Sequence, residues 1–171
     1  MEIDVLIIIT ALLFSAFFSG MEIAYVSANK IHIELEKKQD GILANVLRRL
    51  TLKPSKFIAT MLVGNNIALV IYGFFMGDLL LDWIQETEWI RQYINVEYNL
   101  FFQTVISTLV ILVTAEFLPK VFFQVYANNL LKFLAIPAYF FYQLFWLISE
   151  FVMWISNVVL KKFFYHKKVY V

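Results

Sequence analysis

Glu22 and Glu116 sit inside apolar runs long enough to cross a bilayer, where an unpaired charge costs roughly 2.5–3.5 kcal/mol even on lenient insertion scales. Ionisable groups retained in such places mark ion paths or proton relays more often than they serve packing. Further oxygen-bearing groups surround them. Ser19 precedes Glu22 by one helical turn, Asn65 lies in the Gly64-Asn65-Asn66 interruption of a second run, and Pro119 follows Glu116 by three residues. Proline lacks an N–H, and its ring clashes with the carbonyl four residues earlier, here that of Ala115. A carbonyl freed in this way can face a cation, as backbone oxygens do in the broken helices of transporters. The candidate ligands Ser19, Glu22, Asn65, Ala115 (through its carbonyl) and Glu116 are all hard oxygens. Such a set suits Mg2+, Ca2+ or Na+ and disfavours metals that prefer imidazole or thiolate.

The elements that must position these groups are membrane helices. Hydrophobic residues make up 61% of the 171 positions and charged residues 16%, a balance that places the chain among integral membrane proteins. A net charge of +1, with no segment of clustered Lys and Arg free of nearby acids, argues against nucleic acid as a partner. The absence of cysteine removes disulfides, thiolate metal sites and a cysteine nucleophile. No HExxH, GxSxG, P-loop or Asp-rich lipid-transferase pattern occurs, so the chain reads as a non-enzyme.

The apolar pattern predicts an all-α membrane protein with three transmembrane helices, at about 5–26, 57–81 and 100–125. The first run holds about 22 residues, roughly 33 Å of helix. It follows Glu2 and Asp4, without a basic leader or a small-residue cleavage site, and so reads as a retained helix. Residues 27–56 form a charged helical hairpin broken near Gly41, with Pro54 as the start signal for the next helix. Residues 82–99 form a polar connection. The hairpin carries seven Lys and Arg and the connection only Arg91, which predicts a cytoplasmic hairpin, an outer loop and the N-terminus outside. The C-terminus then lies in the cytoplasm, most simply behind the plasma (inner) membrane. The run 134–160 is long enough for a fourth span, yet a fourth crossing would export the basic tail Lys161, Lys162, Lys167 and Lys168. Gln143, Glu150 and Asn157 recur every seven residues, with Ser149 and Ser156 in step, which suggests a polar stripe on one interfacial juxtamembrane helix. A packed fourth span with a buried Glu150 is the alternative.

Threading three spans in alternating directions brings the polar groups to one depth. From helix rise alone, Ser19, Asn65 and Glu116 fall roughly 5–6 Å and Glu22 roughly 10 Å to the cytoplasmic side of the midplane. Each group also has a purely structural reading. Ser19, Asn65 and Asn66 can be interhelical hydrogen-bond partners, Pro119 a kink, and Gly73 with Gly77 a helix-packing face within or between subunits. Glu116 can pair with Lys120 one turn along its own helix. His32 and His166 read as solvated interfacial residues.

Ser19-Gly20-Met21-Glu22-Ile23-Ala24, Gly64-Asn65 and Glu116-Phe117-Leu118-Pro119-Lys120 resemble, in order and spacing, the three signature stretches of the CorC/CNNM (cyclin M) transmembrane domain. The resemblance covers nearly the whole chain. It implies a homodimeric magnesium transporter or sodium-linked magnesium exporter in the lipid bilayer, with Mg2+, and in the coupled case Na+, as the ions handled. By position it carries over Ser19, Glu22, Asn65 and Glu116 as site residues and Pro119 as the residue that distorts the helix. Ala115 stands where the family has glycine, and Leu69 stands near where a second asparagine often follows, so ion coordination can differ here. The family also implies cytoplasmic CBS domains that bind nucleotide beyond the membrane domain, and the sequence to Val171 does not contain them. A membrane anchor or scaffold, its carboxylates structural and its basic hairpin holding a partner, is the competing expectation.

Overall fold

The computed structural model describes residues 2–86 and 99–167, and among these every regular element is helical. Helix α1 spans Glu2–Ser27. Its apolar body crosses a membrane, and Glu2 and Asp4 in the first turn offset the positive end of its dipole. Asn29, two residues past its end, caps the next helix, its Oδ1 accepting from the N–H of Ile31 at 2.9 Å and of His32 at 3.4 Å. Helices α2 (Lys30–Lys38) and α3 (Ile42–Leu52) form the predicted hairpin. Gly41 turns the chain between them at φ 130°, a backbone that L side chains rarely adopt. Arg48 closes the turn by donating to the carbonyls of Lys37 and Gln39.

Pro54 opens helix α4, Pro54–Glu86, where a missing N–H costs nothing. This helix runs past the expected end at 81 through Asp82 to Glu86, because helical hydrogen bonding need not stop where the hydrocarbon does. Residues 87–98 of the expected outer loop lie outside the described residues. The third span comprises α5 (Asn99–Ile111), a π-helical turn (Leu112–Phe117) and α6 (Leu118–Val125). Among the described residues, helices α1, α4 and the α5–α6 rod are each long and apolar enough to cross a membrane, and the bent pair of helices that follows passes the same test when taken as one broken span.

Three close approaches set the register of the bundle. Helices α1 and α4 are antiparallel: Tyr25 packs against Phe57 with ring centroids 4.7 Å apart, Phe18 meets Gly64, and Ser15 meets Asn65. A Cβ on Gly64 would lie 2.7 Å from the Phe18 ring, so only glycine lets the ring seat there. Gly20 does the same for α6, where a Cβ would lie 2.5 Å from Phe123. Between α4 and α5, Gly77 receives Gln103 and the Tyr72 hydroxyl donates to the Ser107 carbonyl at 3.2 Å. Gly73, expected to share a packing face with Gly77, has no atom within 4 Å of where its Cβ would stand. The two share a helix face four residues apart, but only Gly77 sits at the level where the Gln103 side chain reaches α4.

The C-terminal segment is two helices. Helix α7 (Ala127–Leu144) and helix α8 (Trp146–Lys167) meet at Phe145 with a bend of 73°. Residues 134–160 are therefore divided, and Gln143 does not share a helix face with Glu150 and Asn157. Helix α7 lies against α1 and α3, where Leu131, Ala135 and Ala138 join Phe18, Met21, Leu47, Leu50, Phe57 and Met61 in the main core. Lys132 fastens it to α2 through Glu36 at 2.7 Å, and Arg49 of α3 donates to the Tyr139 hydroxyl at 2.6 Å. Helix α8 lies against α4, where the Thr60 and Ser149 hydroxyls share a buried 2.8 Å hydrogen bond. Beside it the buried Lys56 donates to Glu150, with the Trp146 ring 5.0 Å from its ammonium. This bond holds the Glu150 carboxyl below the ordinary carboxylate range. His32, read as solvated, also lies 3.9 Å from Glu36.

The two glycine notches give a direct test. Gly20→Ala and Gly64→Ala should each lower the thermal unfolding midpoint of the detergent-purified protein, at a cost of about 1–3 kcal/mol from forced overpacking. Gly73→Ala should stay within about 0.5 kcal/mol of the parent. Equal damage at all three positions would contradict the packing described.

Candidate polar site within the bundle

Ser15, which the sequence reading passed over, is central to the site. Its hydroxyl donates to Asn65 Oδ1 at 2.6 Å, and both side chains are buried, Ser15 at 0% and Asn65 at 7% exposure. It lies one helical turn before Ser19 on the same face of α1, and that spacing was the available signal. Asn65 thus has a partner one turn earlier than Ser19, because α1 and α4 are locked by Phe18 in the Gly64 notch.

Ser19 is also at 0% exposure, but its Oγ has no hydrogen-bond partner among the described residues. A buried hydroxyl left unpaired costs about 1–3 kcal/mol. The position is kept polar all the same, between Phe18 in its notch and Gly20 against Phe123.

Pro119 acts on the third span through a wider turn and not only a kink. It withholds the N–H that the Ala115 carbonyl would take in an α-helix, and the turn before it opens into a π segment, Leu112–Phe117. The Leu118 N–H accordingly reaches back five residues to the carbonyl of Val113. Such turns occur mostly singly and often at functional sites. Ala115 is the buried residue of the segment, and the segment packs against α1. Where the family pattern has glycine, the methyl group of Ala115 is accommodated at 0% exposure.

The third span runs parallel to α1: Val110 and Ile111 pack on the Ile8, Ala11 and Tyr72 cluster, and Phe123 packs on Gly20. Interpolating between these contacts puts Glu116 near the level of Ser15 and Asn65, and Lys120 near that of Ser19. Glu116 is paired: the Lys120 ammonium donates to its Oε2 at 3.3 Å across one turn. Glu22, partly buried, lies within electrostatic reach of both Lys120 and Glu116. Two paired sets result: Ser15 with Asn65 between α1 and α4, and Lys120 with Glu116 on the third span, whose π turn and α6 pack against α1, the helix that also carries Ser19 and Glu22. Asn66, the other amide of the interruption, is exposed on α4 and belongs to neither set. Among the described residues no three His, Cys, Asp or Glu side chains converge as a ready metal cage. Cation ligation here would need the hydroxyl, amide and backbone oxygens as well as the two carboxylates.

The family described as cyclin M transmembrane N-terminal domain matches residues 6–169. The chain is also 26% identical over 165 residues to UPF0053 protein MG146 of Mycoplasma genitalium, across 92% of this chain and 36% of that protein. It spans about a third of the length of that curated relative. A family match that takes in all three candidate spans makes the chain an integral membrane protein of the cyclin M transmembrane N-terminal domain family.

Proposed function

We propose that the chain is the ion-translocating membrane domain of a magnesium transporter or exporter. Its site is formed by Ser19, Asn65, Glu116 and backbone oxygen near Ala115, with Glu22 drawing cations toward it. The observation that carries this reading is the unpartnered, fully buried Ser19 hydroxyl, one turn from the Ser15–Asn65 bond on a helix that packs against the π turn. A hydroxyl kept polar and unsatisfied inside a membrane bundle is what a site for a dehydrated cation requires, since the ion supplies the missing interaction. Two carboxylates provide the charge that a divalent ion needs, and the donor set remains hard oxygen.

In this reading the chain acts as a homodimer in the plasma membrane, with the α2–α3 hairpin and the C-terminus in the cytoplasm. A sodium gradient is the candidate driving force for export. Cytoplasmic CBS domains would regulate the site in longer relatives. The Glu116–Lys120 pair favours a second reading, in which the polar groups only hold an anchor domain together.

Magnesium titration separates the two. A saturable rise in the unfolding midpoint of the purified protein is expected, worth about 2.7 kcal/mol at a hundred times the dissociation constant. Glu116→Gln and Asn65→Ala should abolish that rise while leaving a folded, helical protein; an undiminished rise in both variants would place the site elsewhere. In proteoliposomes, magnesium flux should accelerate when a sodium gradient is imposed. Flux that is flat with and without the gradient would support the anchor reading.

A further inference from the structure

Lys120 is the cation that the polar site already holds. Its ammonium donates to Glu116 Oε2 at 3.3 Å and lies within electrostatic reach of Glu22, which also feels Glu116. Lys120 pairs with Glu116 alone, and Glu22 stands near enough to feel both charges, so the three groups together carry one negative charge when all are ionised. The Lys120 side chain is 39% exposed and that of Glu116 31%, which leaves the ammonium room to swing away on its flexible stem. An ammonium has no lone pair to donate, so it adds nothing to a cation's coordination shell and repels any cation placed beside it. Magnesium holds its ligands at about 2.0–2.1 Å, and a carboxylate oxygen engaged that closely cannot keep the Lys120 hydrogen bond unchanged.

We infer that Lys120 is a tethered counter-cation: it neutralises Glu116 when the site lacks magnesium, and magnesium binds by displacing it. The inference rests on the magnesium-transport reading above and adds a residue that sets affinity and release. Competition of this kind keeps the resting carboxylates from standing unpaired in a low-dielectric site, and it weakens the hold on magnesium enough for the ion to leave. Lys120 is a positioning and competing residue, not a ligand. The predicted effect of its loss has the opposite sign to a structural role: removing a mere helix-stabilising partner would weaken the site or leave it unchanged, whereas removing a competitor tightens it.

The experiment uses the full chain and magnesium itself, with the apparent dissociation constant read from the magnesium dependence of the unfolding midpoint. Lys120→Met should bind magnesium about tenfold more tightly than the parent, with slower release in flux assays, and Lys120→Arg should stay near the parent value. Because the sequence contains no cysteine, Lys120→Cys creates a unique thiol that can be modified in the folded protein. A methylthio adduct, which is neutral, should bind tightly, and an aminoethylthio adduct, which restores the ammonium, should return affinity to the parent value. Equal or weaker binding in the neutral forms would overturn the inference. If the parent responds to magnesium and Glu116→Gln does not, that result would fall on Lys120 alone. If the parent itself shows no magnesium response, the transport reading fails and this inference with it.

Discussion

The seating of the Phe18 ring in the notch left by Gly64 sets the register of α1 against α4, and with it the depth of the polar groups those helices carry. Helices packed without such a notch can slide by a turn at little cost, since lipid tails are as apolar as leucine side chains. Here the ring, once seated, brings Ser15 opposite Asn65 and Tyr25 beside Phe57. Phe18 itself is held from behind by Phe141 of α7, with ring centroids 4.9 Å apart. One aromatic side chain therefore ties the first span, the second span and the first C-terminal helix together.

Around that contact the fold meets the demand that polar groups buried away from water find partners within the protein. Ser15 satisfies Asn65, Thr60 satisfies Ser149, and Lys56 is held by Glu150 and by the faces of Trp146 and Tyr142. Pro119 breaks the α-helical ladder of the third span, and the π turn absorbs the break by reaching five residues back. Ser19 is the exception among the buried side chains of α1, and its lack of a partner stands out because its neighbours are so thoroughly paired. Glu22 follows it by three residues on the same helix, and the third span, which packs against that helix, carries the Glu116–Lys120 pair.

The C-terminal helices serve as a brace for the hairpin and the second span. Helix α7 is fastened to α2 by Lys132–Glu36 and to α3 by Arg49–Tyr139, and α8 is fastened to the start of α4. These bonds join residues about ninety positions apart in the sequence. The bend at Phe145 lets one segment brace two places. It also divides the seven-residue polar repeat, so that Ser149 and Glu150 turn to α4 while Gln143 donates to Tyr139 within α7.

Most of the architecture was legible in the residues, because hydrocarbon tolerates so few backbone solutions. The three spans, the break at Gly41, the start at Pro54 and the distortion caused by Pro119 followed from apolar run length, glycine and proline chemistry alone. So did the candidate ligands, since charges and amides in apolar runs announce themselves. Ser15 did not, because a serine in a membrane helix is cheap and common; only its partner makes it part of a site. Nor did the Phe145 bend, which depends on what α7 and α8 pack against. By itself the sequence determined which polar groups interrupt the apolar runs and how far along each helix they stand, because helix rise and hydropathy are local properties. Only the tertiary structure decided which of them meet, because rotation about each helix axis and register between helices are set by side-chain shape, here a phenylalanine ring and two glycines, across distant parts of the chain.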